Sequence, residues 1–189
     1  MKFKLILLAL IIFTLNAFSQ SKNQLAIIYG TNVTSVNIHG VMGDYGYNSK
    51  TGTVYGFGYT RKLIAGLSLE TGLLFADDKT QESSIVPGFG HALNDGEVKM
   101  ISVPVYLKLT FLRFLYVDGG FTLDKQTNLN SAGAIIDQSG LGAGFGVGGQ
   151  VKLGPVSLFV NPYFRTCAIT RTRDNLIETG FKFGAGYNF

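Results

Sequence analysis

Polar and apolar residues alternate strictly along the last stretch of the chain, residues 177–189. One set of alternate positions holds Ile177, Thr179, Phe181, Phe183, Ala185, Tyr187 and Phe189. The other set holds Glu178, Gly180, Lys182, Gly184, Gly186 and Asn188. A period of two over this length predicts a β-strand, because successive side chains of a strand point to opposite faces of its sheet. One face of this strand is apolar and aromatic, whereas the other is polar or lacks a side chain.

The same alternation predicts seven further strands upstream. They cover residues 24–33, 53–62, 66–77, 97–111, 114–124, 139–153 and 156–166. The fourth is the clearest, since apolar residues fill every odd-numbered position from Ile101 to Phe111. The seventh is ambiguous, because Phe159 falls on the face that otherwise holds Asn161 and Tyr163. The pattern therefore predicts eight strands and no helix after residue 20.

The connections between the predicted strands alternate between short and long. Three short connections lie near residues 61–65, 112–113 and 154–155. Four long connections cover about 34–52, 78–96, 125–138 and 167–175. Short turns at one end and long loops at the other are typical of outer-membrane barrels, in which the turns are periplasmic. With a periplasmic N-terminus, the same parity places all four long loops outside the cell.

The polar faces of the predicted strands carry many charges. They hold Glu70, Lys108, Asp118, Lys152, Arg165, Glu178 and Lys182. A soluble core rarely buries such groups, because removing a charge from water is costly. In a membrane, only a closed barrel pairs every backbone group of a strand, with its apolar face toward lipid. The predicted fold is all-β: an eight-stranded antiparallel transmembrane up-and-down β-barrel with short periplasmic turns and long outer loops.

The charges that line this lumen are expected to pair with one another. We predict a lumen charge network formed by Glu70, Lys108, Asp118, Lys182, Arg165 and Glu178. Counted from the short turns, the first four of these residues fall at similar depth. A barrel of eight strands is just wide enough for its own side chains to fill, which argues against a water-filled pore.

Glycines occupy alternate positions 142–148 of the predicted sixth strand and leave space on its lumen face. We expect the rings of Tyr106, Tyr116 or Tyr163 to occupy that space. Positions 144–149 also match the pattern G-x-G-x-x-G, but a dinucleotide site needs that pattern to open a helix after a strand. We therefore interpret these glycines as structural.

The first 19 residues have the features of a secretory signal peptide. Lys2 and Lys4 form a basic start, residues 5–15 form an apolar run, and cleavage is predicted between Ser19 and Gln20. An alternative is a transmembrane helix anchor, although the apolar run is about half of the ~20 residues that a span needs.

The remaining chain, residues 20–189, is predicted to be one outer-membrane β-barrel domain. The 25 Gly, 15 Phe and 9 Tyr among 189 residues fit short strands with tight turns. Without Lys2 and Lys4, 14 basic residues face 12 acidic ones, a balance too weak to indicate nucleic-acid binding. The single Cys167 excludes an internal disulfide.

Few residues suggest catalysis or metal binding. His39 and His91 are the only histidines, fall in predicted outer loops and lack the spacing of metal ligands. An alternative is a lipid-modifying site at the outer rim, in which one histidine lies near Ser35, Ser83 or Ser84, although no catalytic-triad spacing supports it. We predict no enzymatic activity, no cofactor and no metal.

Three further basic residues, Lys99, Arg171 and Arg173, fall at outer strand ends or in outer loops. We interpret them as solvated or snorkelling charges. The alternative is contact with the anionic sugars of lipopolysaccharide in the outer leaflet.

The end of the chain resembles the C-terminal assembly signal of bacterial outer-membrane barrels. Lys182, Gly184, Tyr187 and Phe189 carry this resemblance, as a polar residue, a glycine, an apolar residue and a terminal aromatic residue. It implies that barrel-assembly machinery recognises the last strand.

The chain as a whole resembles the small outer-membrane β-barrel proteins of Bacteroidetes, including the PorT-like and OmpA-type barrel domains. The resemblance is carried by Ala17-Phe-Ser19 before the predicted cleavage site, Ile101-Ser-Val-Pro-Val-Tyr-Leu-Lys-Leu109, Tyr116-Val-Asp-Gly-Gly120 and Gly184-Ala-Gly-Tyr-Asn-Phe189. It implies a barrel fold and location in the cell outer membrane. PorT-like members are linked to protein secretion and gliding machinery, which implies secretion-machine or cell-surface protein partners.

Three functions fit these observations. The leading hypothesis is a structural or interaction protein of the outer membrane without catalytic activity. The alternatives are a small pore or transporter, which the glycine-lined sixth strand mildly favours, and a lipid-modifying enzyme.

Overall fold

A computed structural model of the chain describes residues 22–38, 45–49, 51–84, 95–128, 137–169 and 174–189. The predicted signal peptide and its cleavage site lie outside the described residues. So do His39, His91, Arg171 and Arg173, together with much of the four predicted outer loops.

The described residues form nine β-strands. In chain order they are β1 (Asn23–Ile38), β2 (Tyr45–Ser49), β3 (Thr51–Ile64), β4 (Leu67–Ser84), β5 (Asp95–Phe111), β6 (Leu115–Gln126), β7 (Gly140–Leu153), β8 (Val156–Thr166) and β9 (Asp174–Asn188). No helix long and apolar enough to cross a membrane occurs in this part of the chain.

Eight of these strands close into a barrel. Each of β1 and β3 to β9 pairs with its neighbours in antiparallel fashion, and the β1–β9 pairing closes the ring. Because every barrel strand has two partners, their backbone N–H and C=O groups are paired within the sheet. The predicted eight-stranded antiparallel barrel is confirmed.

The short strand β2 lies within the segment 34–52 that was predicted to be a loop. It pairs with β4 from Ser49 opposite Thr80 to Tyr45 opposite Ser84, beyond the point where β3 leaves the same partner. β2 therefore extends the wall of the barrel without adding a strand to its circumference.

Several strands are longer than their hydrophobic alternation indicated. β1 reaches Ile38, β4 reaches Ser84, β5 begins at Asp95 and β9 begins at Asp174. Most residues of these extensions are polar, although Val36, Ile38 and Leu176 are apolar, and backbone pairing with the neighbouring strands continues through them. Sequence patterns detect a strand through regular alternation of apolar and polar residues, and that alternation is interrupted there, which explains why the predicted boundaries were too short.

Three tight turns lie at one end of the barrel, which we call the short-turn end. They include Gly66 (φ 81°) between β3 and β4, Leu112 (φ 50°) and Arg113 (φ 65°) between β5 and β6, and Gly154 (φ 65°) between β7 and β8. Asn23 and Phe189 meet at the same end, where the Asn23 N–H donates to the Phe189 carbonyl at 3.1 Å. The opposite end, where the longer connections begin, is the long-loop end.

The two faces of the barrel wall differ sharply. The outer face exposes a belt of large apolar side chains, including Leu25, Ile27, Tyr29, Phe57, Leu107, Leu123, Phe145, Phe164, Phe181 and Phe183. The inner face buries charged and polar side chains. Exposed apolar area on this scale is stable only against lipid, so the predicted orientation of the faces is confirmed.

Candidate functional site in the barrel lumen

Buried charged groups converge in the lumen, and the centre of this cluster is Arg165 on β8. The Arg165 guanidinium contacts the Glu178 carboxylate directly across the β8–β9 pair, where the two residues are register partners. Its Nη1 atom lies 3.6 Å from Asp124 Oδ1 and donates a hydrogen bond of 2.7 Å to Ser102 Oγ. All four residues are buried, so this cation on β8 is enclosed by groups from three other strands, β5, β6 and β9.

A second buried carboxylate, Asp78, lies beside this cluster toward the long-loop end. Asn32 Nδ2 donates to Asp78 Oδ1 at 2.5 Å and to Glu178 Oε2 at 3.3 Å, and thereby links the two acids. Thr34 Oγ1 donates to the same Asp78 oxygen at 2.8 Å. The buried Cys167 thiol lies 3.5 Å from Glu178 Oε1 and completes the contacts of this group.

The predicted network named Arg165 and Glu178 but neither Asp124 nor Asp78. Both missed residues continue the polar alternation of their strands: Asp124 follows Asp118 on β6 and Asp78 follows Glu70 on β4 at even-numbered positions. Asp78 was missed because the strand was predicted to end one residue earlier. Asp124 lay inside its predicted strand at a lumen-facing even-numbered position, so parity alone would have found it, and extending the predicted β4 by one residue would have found Asp78.

The other predicted network residues lie closer to the short-turn end. Lys108 Nζ is 3.6 Å from Glu70 Oε2 and 3.7 Å from the centre of the Tyr116 ring. Asp118, which pairs in register with Lys108, accepts a hydrogen bond of 2.6 Å from Asn161 Nδ2. Both sets of contacts lie on the lumen side of the wall, where Lys108, Asp118 and Asn161 are buried and Glu70 is partly buried.

Lys182 is buried in the same region, next to aromatic rings. Its Nζ lies 4.4 Å from the centre of the Tyr163 ring and 5.7 Å from that of Tyr106. Within the described residues no carboxylate lies within 4 Å of this ammonium group. The six predicted residues thus form separate contacts: Arg165 with Glu178, Lys108 with Glu70, and Asp118 and Lys182 each with other partners.

The glycines of β7 make room for side chains from across the lumen. A Cβ atom at Gly144 would lie 2.2 Å from the Tyr106 hydroxyl, and one at Gly148 would lie 2.3 Å from Tyr116 Cζ. A Cβ atom at Gly146 would lie 2.4 Å from Asn161 Oδ1, so the Asn161 side chain occupies the space there. The expectation that tyrosines fill this column is confirmed for two of the three rings, while Tyr163 packs elsewhere.

Phe159, which interrupted the pattern of its strand, points inward and is half-buried. A Cβ atom at Gly184 on the neighbouring β9 would lie 2.2 Å from Phe159 Cζ, so the glycine provides the space that this ring fills. Its ring centre lies 5.4 Å from Lys108 Nζ. An apolar residue on the lumen face is therefore accommodated by a glycine on the next strand, and the strand keeps its register.

The residues of the predicted assembly signal lie on both faces of β9. Lys182 faces the lumen, Gly184 lies under Phe159, and Tyr187 and Phe189 are exposed on the outer face at the short-turn end. Recognition of this strand by barrel-assembly machinery stays a prediction.

The described residues do not bring together the other candidate sites that the sequence suggested. In the described ranges no group of three or more His, Cys, Asp or Glu side chains is arranged to bind a metal ion. Ser35 is exposed on β1, and the side chains of Ser83 and Ser84 are outside the described part of the structure, as are both histidines. The G-x-G-x-x-G pattern lies inside strand β7, as the structural interpretation of its glycines requires.

Two solved structures show the same architecture. The outer membrane protein OprG from Pseudomonas aeruginosa is similar over 89% of this chain and 96% of its own, with a TM-score of 0.57 and 13% sequence identity. The outer membrane protein AlkL, solved in lipid bilayers, is similar over 89% of this chain and 91% of its own, with a TM-score of 0.51 and 15% identity. No curated protein matches the chain in sequence.

A family model extends this likeness from fold to family. It describes the outer membrane protein beta-barrel domain and matches residues 5–189. The match covers nearly the whole chain, including all nine strands, and implies location in the outer membrane. The chain therefore belongs to the family of outer membrane protein β-barrel domains.

Proposed function

We propose that the protein is a non-conducting, non-catalytic barrel that holds an interaction surface at the outer face of the membrane. The observation that carries this proposal is the filled lumen. Arg165 and its carboxylates block the lumen toward the long-loop end, and the Tyr106 and Tyr116 rings occupy the glycine column below them. An eight-stranded barrel has no spare cross-section once such side chains meet across it.

The first half of the proposal is tested by conductance. The purified barrel, reconstituted into a planar bilayer, is expected to give no stepwise current, while an established porin in the same bilayer confirms that the assay detects open channels. Reproducible unitary currents from this protein would favour the pore or transporter instead.

The second half concerns the long loops. The β4–β5 pairing already brings Gln81 opposite Asp95, so a four-residue turn in place of residues 85–94 joins two strands that lie side by side. We expect both this loop variant and the parent protein to fold into barrels that shift in mobility on heating.

Native electrophoresis of outer membranes in mild detergent then measures the interaction. The parent is expected to migrate in an assembly larger than a monomer, and variants with replaced outer loops are expected to leave it. A parent that runs only as a monomer, or loop variants that all stay in the assembly, would contradict the proposal. The resemblance to PorT-like barrels makes a secretion machine one candidate assembly, and the proteins released from it would identify its partners.

A further inference from the structure

A cavity of about 460 Å³ opens at the short-turn end of the barrel. Its lining contains five basic side chains and no acidic ones among the residues that the structure describes. The basic residues are Lys22, Lys62, Lys108, Arg113 and Lys152. We call this cavity the basic cup. Lys22 immediately precedes β1, Arg113 lies in the β5–β6 turn, and the other three lie on β3, β5 and β7, so folding of the barrel brings the five together.

The charge of the basic cup is poorly compensated. At its floor, Lys108 is paired with Glu70 at 3.6 Å. The other four cations form no ion pair within 4 Å with any described residue. Like charges held in a concave site with low-dielectric walls raise the local potential, which attracts counter-ions.

The remaining lining residues suit a hydrophilic ligand. They are Asn23, Gln24, Thr60, Gly66, Ser68, Thr110, Gln150 and Asn188, with no large apolar side chain. Gln150 is largely buried, at 8% exposed, and lines the cavity with an amide side chain that can donate and accept hydrogen bonds. The cavity volume also falls in the range of small-molecule sites, about 300–1,000 Å³.

Access to the basic cup is from one side. Its floor is Lys108, whose ammonium lies against the Tyr116 ring, and the filled lumen continues beyond it. In the orientation typical of outer-membrane barrels, the short-turn end faces the periplasm. We propose that the basic cup binds a multivalent oxyanion, carrying phosphate or carboxylate groups, from the periplasmic side.

The test uses the whole barrel in nanodiscs of zwitterionic phosphatidylcholine, titrated with tripolyphosphate and with citrate in a calorimeter. The parent protein is expected to bind at least one of them saturably with one-to-one stoichiometry. The double variant Lys62→Gln/Lys152→Gln removes two exposed cup cations and should weaken binding about tenfold or more, because each lost charge removes a favourable Coulomb interaction.

The matched control is Arg61→Gln. Arg61 adjoins Lys62 on β3 and is exposed, but it does not line the basic cup. The control removes one positive charge from the same end of the barrel and should leave the affinity within about twofold of the parent, since the charge lies outside the cavity. Heat-modifiable migration in gels checks that every variant is folded.

Two results would overturn the proposal: no saturable binding of either anion at millimolar concentration, or equal weakening by the control and the double variant.

A further experiment distinguishes a lipid headgroup from a soluble anion as the source of the bound group. Nanodiscs that contain anionic phosphatidylglycerol supply phosphate headgroups at the rim of the cup. If they suppress tripolyphosphate binding in the parent, a lipid headgroup is the occupant; if binding persists, the occupant is a soluble anion.

Discussion

Arg165 shows how a charge can be held inside this barrel. Its guanidinium contacts Glu178 and lies 3.6 Å from Asp124, with Ser102 as a further acceptor. Isolated, this buried cation would be very unfavourable, and so would either acid. Together their opposite charges compensate one another, so removing one of them leaves the others buried without a charged partner.

We therefore expect Arg165→Ala to lower the free energy of unfolding by about 3–5 kcal/mol, because it leaves Glu178 and Asp124 buried without a cation. Denaturant titration of the barrel in detergent micelles measures the change. The control is Lys99→Gln, which removes an exposed pair with Glu97 at 3.2 Å and should cost less than about 1 kcal/mol. Equal losses for the two variants would show that the buried cluster does not stabilise the fold.

A neighbouring pair of glycines on β7 tests the packing of the lumen. A Cβ atom at Gly148 would lie 2.3 Å from Tyr116 Cζ and 2.6 Å from the Val160 carbonyl oxygen, whereas at Gly149 the nearest atom is 3.8 Å away. Gly148→Ala should therefore destabilise the barrel by about 1–3 kcal/mol through overpacking. Gly149→Ala should be neutral or slightly stabilising in the same unfolding assay. The opposite order would contradict the placement of the Tyr116 ring.

Strands of this barrel were predictable from sequence where one face meets lipid. All eight barrel strands were found, and β5 was the clearest because its apolar row runs unbroken from Ile101 to Phe111. The extensions of β1, β4, β5 and β9 were missed, because most of their residues are polar and the apolar alternation of the lipid-facing part does not continue into them. Strand β8 was ambiguous because the Phe159 ring fits on the lumen face only in the space left by Gly184, a residue of another strand.

The outer face of the barrel allows a test of how deep its residues lie in the membrane. Phe183 lies in the middle of the apolar belt and is 50% exposed, whereas Leu153 adjoins the Gly154 turn at the short-turn end. Phe183→Arg should lower the free energy of unfolding in lipid vesicles by about 2–4 kcal/mol, since it places a charge near the bilayer centre, and Leu153→Arg by about 0–1 kcal/mol. Similar costs at both positions would indicate that the belt does not span the bilayer as described.

The pairing of charges was less predictable than the fold. Parity along each strand places Lys108, Asp118 and Lys182 on the lumen face, and the structure agrees. It does not reveal which groups meet, because the register between strands and the tilt of the sheet decide that. Asp118 accepts from Asn161, and Lys182 lies near the Tyr163 ring, contacts that no single strand encodes.

The barrel's direction in the membrane is open to a direct test. Lys79 is exposed near the long-loop end, and Lys152 is exposed near the short-turn end. A membrane-impermeant maleimide applied to intact cells should label a Lys79→Cys variant and spare Lys152→Cys, with both labelled after lysis. The native Cys167 is buried and should stay unlabelled in the folded barrel. Labelling of Lys152→Cys alone in intact cells would show that the barrel has the opposite orientation.

The pairing that closes the barrel also sets how it can form. Fifteen residues of β1, from Gln24 to Ile38, are in register with β9, from Asn188 back to Asp174. These are the first and last strands in chain order, so the ring cannot close until the whole sheet is present. Contacts between such distant segments form slowly, since the intervening chain must first be ordered. Until β9 arrives, β1 presents an unpaired edge that can capture a strand of another chain, so the interval before closure is when the protein is most prone to aggregate.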